Sequence, residues 1–403
     1  MQDNHLDSLS TLRFSTWPRC VTPAPVFTAV HHRPSSCEES YVRYRCEEAQ
    51  PNMGRMRALN FDPRKKSLTS VFKEVPKAIT PEDVVVRVAF AGICGTDLHI
   101  AEGTFPCKDS DFTLGHEISG VVTEVGSNVD HIQCGDNVVV DPNSGCNKCR
   151  SCTNGNYHLC MVGGINNTIG IFRDGGWAEY LVAPSTQVYK LPSNIPLQRA
   201  VMCEPLSCIS HGWERLGNVS PDFKILIVGA GIIGNLWACL FHLKGYKYVT
   251  MSEPQAERRN LFQKIGTGYE AVTPDQLLAQ FPKKDDCLKN GFDLCVDCSG
   301  NPRAIEKGVD LLRNGGKMCI FGVAPVQAEI KLSPFEIYKK EITIIGVNIN
   351  PFSFNKAMAL LDAFGERYLD YETLGIQTFK LDQHQEALEK LKQGKISKGV
   401  FKI

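Results

Sequence analysis

Cys146, Cys149, Cys152 and Cys160 form a Cys-x2-Cys-x2-Cys-x7-Cys run flanked by Gly145, Asn154 and Gly155. Four soft ligands so spaced can close tetrahedrally on Zn2+ and leave no open position for water, which makes a structural rather than a catalytic site. The competing reading, disulfides or free surface thiols, needs an oxidising compartment or a chance cluster. A second set is dispersed along the chain. It comprises Cys94 in Gly92-Ile-Cys-Gly-Thr-Asp-Leu-His99, His116 and Glu117 in Gly115-His-Glu-Ile-Ser-Gly120, and Glu204 in Cys203-Glu-Pro-Leu206. Taken singly, His116 reads as a core histidine and Cys94 as a small buried hydrophobe, so spacing alone supports a metal here only weakly.

A third constellation handles phosphate. The apolar run Ile225-Leu-Ile-Val228 leads into Gly229-Ala-Gly-Ile-Ile-Gly234, with a helical pattern directly after it. The first glycine makes the tight turn, the second admits a pyrophosphate to the backbone, and the third lets helix and strand pack closely. The helix N-terminus supplies free N–H groups. Glu253, 24 positions after Gly229, closes the next strand, where a carboxylate accepts the adenosine ribose hydroxyls and repels a 2′-phosphate. Arg258 lies within a turn of it and could cover the adenine or ribose, or take a 2′-phosphate if Glu253 points elsewhere. The cofactor set is therefore Gly229, Gly231, Ile233, Gly234, Glu253 and Arg258, and NAD is favoured over NADP.

These groups need two kinds of scaffold. From Arg57 the chain reads as short strands divided by Gly, Pro, Asn and Asp (83–91, 119–125, 137–141), a β-rich, loop-rich domain. After about Ser207 strands alternate with helices: strands 224–228, 247–252, 292–297 and 317–321, with helices starting at Ile232, Gln255 and Pro302. That alternation predicts an α/β unit with a parallel, doubly wound sheet. Helical patterns at 355–364 and 383–392 belong to a last segment expected to return to the first domain. The expected division is thus 1–55, an unstructured extension; 56–207, the first part of the zinc-binding domain; 208–348, the dinucleotide domain; and 349–403, the return.

Bulk composition narrows the function. Forty-four basic residues balance forty-four acidic ones, so no long-range field draws nucleic acid or an anionic membrane. No apolar run reaches the roughly 18–20 residues of a membrane span, and the N-terminus lacks the layout of a secretory signal. A mitochondrial presequence would be poor in acids, yet Asp3, Asp7, Glu38, Glu39, Glu47 and Glu48 sit among the arginines. A cytoplasmic protein acting on a small molecule is expected, with mitochondrial targeting the lesser alternative. Met53 and Met56 precede the first strand pattern, so a shorter form beginning there would keep the fold.

From about residue 57 to the C-terminus, the chain resembles the zinc-containing medium-chain dehydrogenases, and among them the sorbitol and related polyol dehydrogenases. The resemblance rests on CGTDxH, GHExxG, the four-cysteine lobe, EPLS and the glycine turn, in that order. It implies a GroES-like β-rich catalytic domain joined to a Rossmann domain. It also implies NAD, one catalytic and one structural zinc per chain, and a homo-oligomer, dimer or tetramer. Cys94 and His116 would bind the catalytic zinc. Glu117 is the third ligand in sorbitol-type members, with Glu204 beside the metal or exchanging with it. Adjacent residues of an extended strand face opposite ways, so His116 and Glu117 can share one ion only where the backbone bends, and the choice between Glu117 and Glu204 stays open. Thr96 and His99 would relay the proton to water, and Asp97 would orient a ligand.

The implied reaction is hydride transfer from a secondary alcohol, a polyol, to NAD, giving the ketose. Two departures count against sorbitol itself. Ile100 stands where animal sorbitol dehydrogenases carry an aromatic residue, and Gly346-Val-Asn-Ile-Asn-Pro351 lacks their Arg-Tyr pair. CGTDxHI also resembles L-threonine 3-dehydrogenase, the alternative enzyme, although Glu204-Pro-Leu-Ser argues against it. The alternative from another class is a catalytically silent nucleotide-binding relative, opposed by the presence of every expected ligand and relay residue.

Overall fold

The computed structural model of the protein describes residues 44–45 and 54–403. Most of the extension expected over residues 1–55 lies outside the described residues. Within it, Tyr44–Arg45 pairs antiparallel with Ile118–Val125.

The β-rich part is built on an eight-stranded sheet. Its path runs Ile376–Phe379, Lys398–Lys402, Asp83–Gly92, Ile118–Val125, Asn137–Val140, Val188–Lys190, with Tyr180–Pro184 also paired to Asp83–Gly92. The two C-terminal strands thus add to the sheet begun some 300 residues earlier, Val400 facing Gly92 in register. A small sheet of Ser67–Glu74, Arg55–Asp62 and Phe112–Thr113 completes this part. Partial alternation of buried and exposed residues, clearest in Arg55–Asp62, reflects sheets with one covered face.

The second sheet is wholly parallel and consists of β1 (Ile225–Val228), β2 (Val249–Ser252), β3 (Glu270–Val272), β4 (Phe292–Asp297), β5 (Leu312–Ile320) and β6 (Thr343–Gly346). Its spatial order is β3-β2-β1-β4-β5-β6, the arrangement in which the chain reverses direction beside β1 and a dinucleotide crevice opens at the carboxyl ends of the strands. β1 and β4 are buried along their length, hence the unbroken apolar run of β1 and the apolar Leu294-Cys-Val296 centre of β4, which is flanked by the buried Asp293 and Asp297. The chain patterns anticipated β1, β2 and β4, the last residue for residue, and the end of β5; they missed the start of β5 and the short outer strands β3 and β6.

Three helices position the chemistry: α1 (Gly95–Glu102), α2 (Cys203–Leu216) and α3 (Ile232–Leu243). Trp237 of α3 stacks on Phe241 at 5.5 Å. It packs so close to α2 that a Cβ on Gly212 would lie 2.9 Å from its ring. The helix Phe354–Leu369 lies against α2 on another side, where the Cys203 Sγ meets the Phe354 carbonyl at 4.0 Å. Held between these helices, the first turn of α2 carries Glu204 into the site.

Candidate active site

Cys94 caps α1, and Asp97 three residues later accepts the Cys94 backbone N–H through Oδ2 at 2.7 Å. The other oxygen of Asp97 lies 3.5 Å from His116 Nδ1. One buried carboxylate therefore pins the loop carrying Cys94 and stands as a counter-charge beside the imidazole of His116. His116 and Glu117 precede the strand Ile118–Val125, and Gly115 at φ +96° turns the backbone there. A Cβ on Gly115 would lie 2.2 Å from the ring of Trp177, so only glycine fits. This is the bend that lets neighbouring side chains face one point.

They do converge: donor atoms of Cys94, His116 and Glu117 all lie within 4.8 Å of one another. Glu204 lines the same cavity but is not one of the three. Burial opposes charge on His116, yet the Asp97 carboxylate and Cys94 override it and hold the imidazole well above its ordinary range. Burial pushes Glu204 up to about 7; His116 counteracts this and Glu117 adds to it. A half-buried cysteine sulfur with a buried imidazole and a buried carboxylate, gathered around a point that favours positive charge, is a fitting donor set for Zn2+.

The four cysteines of the lobe also converge within 4.8 Å, and none is in a disulfide. Cys149 and Cys152 sulfurs are 3.5 Å apart, and the Gly163 N–H donates to Cys160 Sγ at 3.2 Å. That backbone N–H leads the influences lowering the Cys160 thiol to about 6, a setting that favours a metal-binding thiolate.

A cavity of about 410 Å³ joins Cys94, His116, Glu117 and Glu204 to Thr96 and His99, which lie one turn apart on α1. Its far wall belongs to the parallel-sheet part: Ile233, Cys298, Ser299 and Phe321. A second cavity of about 490 Å³ is lined by Gly229, Gly231, Glu253 and Arg258, and shares Cys298 and Ser299 with the first. Gly229 has φ +99°, and a Cβ on Gly234 would sit 1.9 Å from the Gly229 carbonyl oxygen, so both glycines are required by the turn. Glu253 accepts the N–H groups of Ala230 and Gln255 at 2.9 and 2.8 Å, with Arg258 Nη1 3.9 Å away.

Two family models cover the chain: an alcohol dehydrogenase GroES-like domain over residues 80–193 and a zinc-binding dehydrogenase domain over 233–363. The chain is 30% identical over 328 residues to D-arabinitol dehydrogenase 1 of Uromyces fabae, covering 80% of this chain and 90% of that protein. The chain belongs to the zinc-binding medium-chain alcohol dehydrogenases. It is also 32% identical over 336 residues to L-threonine 3-dehydrogenase of Pyrococcus furiosus, covering 82% and 93% of the two chains. A zinc-binding dehydrogenase from Sinorhizobium meliloti 1021, solved with NADP bound, shares the fold at TM-score 0.79 and 30% identity, over 87% of this chain and all of that one. As a medium-chain dehydrogenase the protein is a nicotinamide-linked alcohol oxidoreductase with zinc as its metal.

Three residues of this medium-chain dehydrogenase site escaped the reading of the sequence. Lys398, 1% exposed, forms an ion pair with Glu117 and donates to the Ile93 carbonyl at 3.3 Å. Gly92 lies beneath the same carboxylate, and a Cβ there would be 1.7 Å from Glu117 Oε2. Trp177 donates its indole N–H to the Gly92 carbonyl at 3.0 Å, bracing the floor of the site. The only signal for Lys398 was a lysine opening an apolar strand, which does not by itself reveal an ion-pair partner.

Proposed function

We propose that this dehydrogenase oxidises a secondary alcohol of a polyol to the ketose with NAD. The observation that carries the reading is the single cavity in which the Cys94, His116 and Glu117 cluster, Thr96, His99 and the nucleotide-domain residues Ile233 and Ser299 face one another. Zinc held by Cys94, His116 and Glu117 would supply Lewis-acid chemistry that acidifies the substrate hydroxyl, and NAD would accept the hydride. Thr96 then takes the hydrogen bond of that hydroxyl. His99 passes the proton outward past Thr104, 3.4 Å from its Nδ1. Asp97 keeps His116 in orientation. Glu204, which lines the cavity beside the cluster and accepts the Cys208 thiol at 3.4 Å, hydrogen-bonds water or substrate there. The four-cysteine lobe is assigned a closed structural zinc.

Preference for NAD rests on Glu253, whose buried carboxylate at the mouth of the glycine turn opposes a 2′-phosphate. A homo-oligomer, dimer or tetramer, is supported by the outer strand β6, where Ile344 is exposed, and by the exposed Phe335 and Tyr338 of the helix Pro334–Lys340 that leads into it. A cytoplasmic setting is supported by the free thiol state of the described cysteines; among the described residues no helix is long and apolar enough to cross a membrane. Elemental analysis combined with absorbance of the reduced cofactor, scanning NAD and NADP against polyols, simple alcohols and L-threonine, tests the whole reading. NADH formed from a polyol supports it. Preference for L-threonine, or no turnover of any alcohol by zinc-loaded protein, overturns it.

A further inference from the structure

The substrate cavity has one wall whose hydrogen bonds are set from behind by a buried acid. Asp141, 3% exposed, takes no part in the chemistry above. Its Oδ1 accepts the backbone N–H of Asn143 at 3.0 Å and the Asn350 Nδ2 at 3.1 Å, and its Oδ2 accepts the hydroxyl of Tyr157 at 3.2 Å. Asn350 Oδ1 in turn accepts from Asn143 Nδ2 at 2.6 Å, and Asn143 Oδ1 accepts from Thr168 Oγ1 at 2.6 Å. Asn143, Thr168 and Asn350 are all nearly or fully buried, and the first two line the cavity.

The direction of this chain is not free. A backbone N–H can only donate, so Asp141 Oδ1 is an acceptor whether or not the carboxyl carries a proton, which would sit on Oδ2. Burial does push Asp141 up to about 7, against the donors from Asn143, Asn350 and Tyr157. With Oδ1 fixed, Asn350 must turn its NH2 toward Asp141 and its oxygen toward Asn143. Asn143 must then turn its NH2 toward Asn350 and its oxygen toward Thr168. The single hydroxyl hydrogen of Thr168 is committed inward, to Asn143 Oδ1 or to the Ile165 carbonyl at 2.9 Å. With that hydrogen committed, Thr168 Oγ1 has only lone pairs to offer a ligand, while Asn143 Nδ2 keeps a second amide hydrogen.

We propose that Asn143 and Thr168, polarised through Asn350 by Asp141, form a subsite for a second, neutral hydroxyl of the substrate. An acceptor beside a donor matches a hydroxyl, which gives one hydrogen bond and takes another. A carboxylate or phosphate can only accept and meets the lone pairs of Thr168; an ammonium can only donate and meets the N–H of Asn143. Among the described residues the lining carries no lysine or arginine to offset an anion. Asn143 and Thr168 are specificity residues, and Asp141 and Asn350 are positioning residues behind them. This inference rests on the polyol reading and narrows it to uncharged polyols, excluding amino acids, aldonates and phosphorylated sugars.

The test measures kcat/KM of the full-length zinc-loaded protein for a C4–C6 polyol, for a secondary monoalcohol of equal chain length, and for the aldonate matching the polyol. The wild type is expected to favour the polyol over both. In Thr168→Val the ratio of polyol to monoalcohol falls about 10-fold, mainly through KM, as for a buried hydrogen bond left unmade, and Thr168→Ser restores it. Asn350→Ala lowers the same ratio by releasing Asn143. Zinc content and cofactor affinity monitor folding of each variant. An unchanged ratio in Thr168→Val, or an aldonate preferred by the wild type, overturns the subsite while leaving polyol oxidation standing. A wild type that oxidises monoalcohols but no polyol instead removes the reading on which the subsite depends.

Discussion

The two convergent ligand clusters are built in opposite ways. The lobe draws Cys146, Cys149, Cys152 and Cys160 from one short stretch of chain, and its supports, such as the Gly163 N–H, come from the same stretch. The cavity cluster takes Cys94 from the cap of α1 and His116 and Glu117 from a bend before a strand. Behind them stand Asp97 of α1 and Lys398 of the last sheet strand. A local cluster needs only its own turns, so it can serve as a staple. A cluster assembled from distant elements has its geometry and charge set by everything packed behind it, which is what a reactive site requires.

The largest expected effect that separates them is chemical. Cys94→Ser or His116→Ala should lower NADH formation by at least about a thousandfold, the consequence of losing several kcal/mol of Lewis-acid stabilisation. The lobe should keep its zinc, measured by elemental analysis. Loss of both metals together would erase the distinction between the clusters. The converse change, Cys152→Ser, should lower the thermal unfolding midpoint by about 5–10 °C while the residual folded enzyme keeps its KM. A large KM change without a shift in midpoint would make the lobe part of the active site.

Smaller effects probe the supports of the cavity cluster. Gly92→Ala places a methyl where the Glu117 carboxylate lies, and should weaken zinc affinity about 10- to 100-fold in a competition with a chromophoric chelator. Unaltered affinity would mean that Glu117 is not a ligand and would return Glu204 to that role. Asp97→Asn keeps the shape but removes the charge facing His116; kcat should fall about 10-fold with cofactor affinity retained, read by steady-state kinetics and fluorescence titration. The smallest change is at the nucleotide site, where Glu253→Ala should narrow the preference for NAD over NADP by about 10-fold in kcat/KM.

Legibility in the sequence followed the same division. The inner strands of the parallel sheet were readable because buried strands are rich in apolar residues, and its glycine turn because Gly229 and Gly234 meet local steric demands; the short outer strands β3 and β6 carried no such signal. The lobe was readable because its ligand spacing is short. Cys94, His116 and Glu117 were found through a resemblance, since their separation in the chain carries no geometric information. The sequence offered no local choice between Glu117 and Glu204, because which carboxylate approaches Cys94 and His116 depends on how the backbone turns at Gly115 against Trp177.

What the sequence determined by itself, then, was the kind of chemistry and the alternation of elements that would carry it: soft ligands, a phosphate turn, a carboxylate for ribose. Tertiary structure decided which donors meet, which acid Lys398 neutralises, and which way the amides of Asn143 and Asn350 face. The physical reason is that ligand type and backbone permissiveness are properties of single residues and their neighbours. Convergence, burial and hydrogen-bond direction are instead properties of pairs brought together across hundreds of residues by packing.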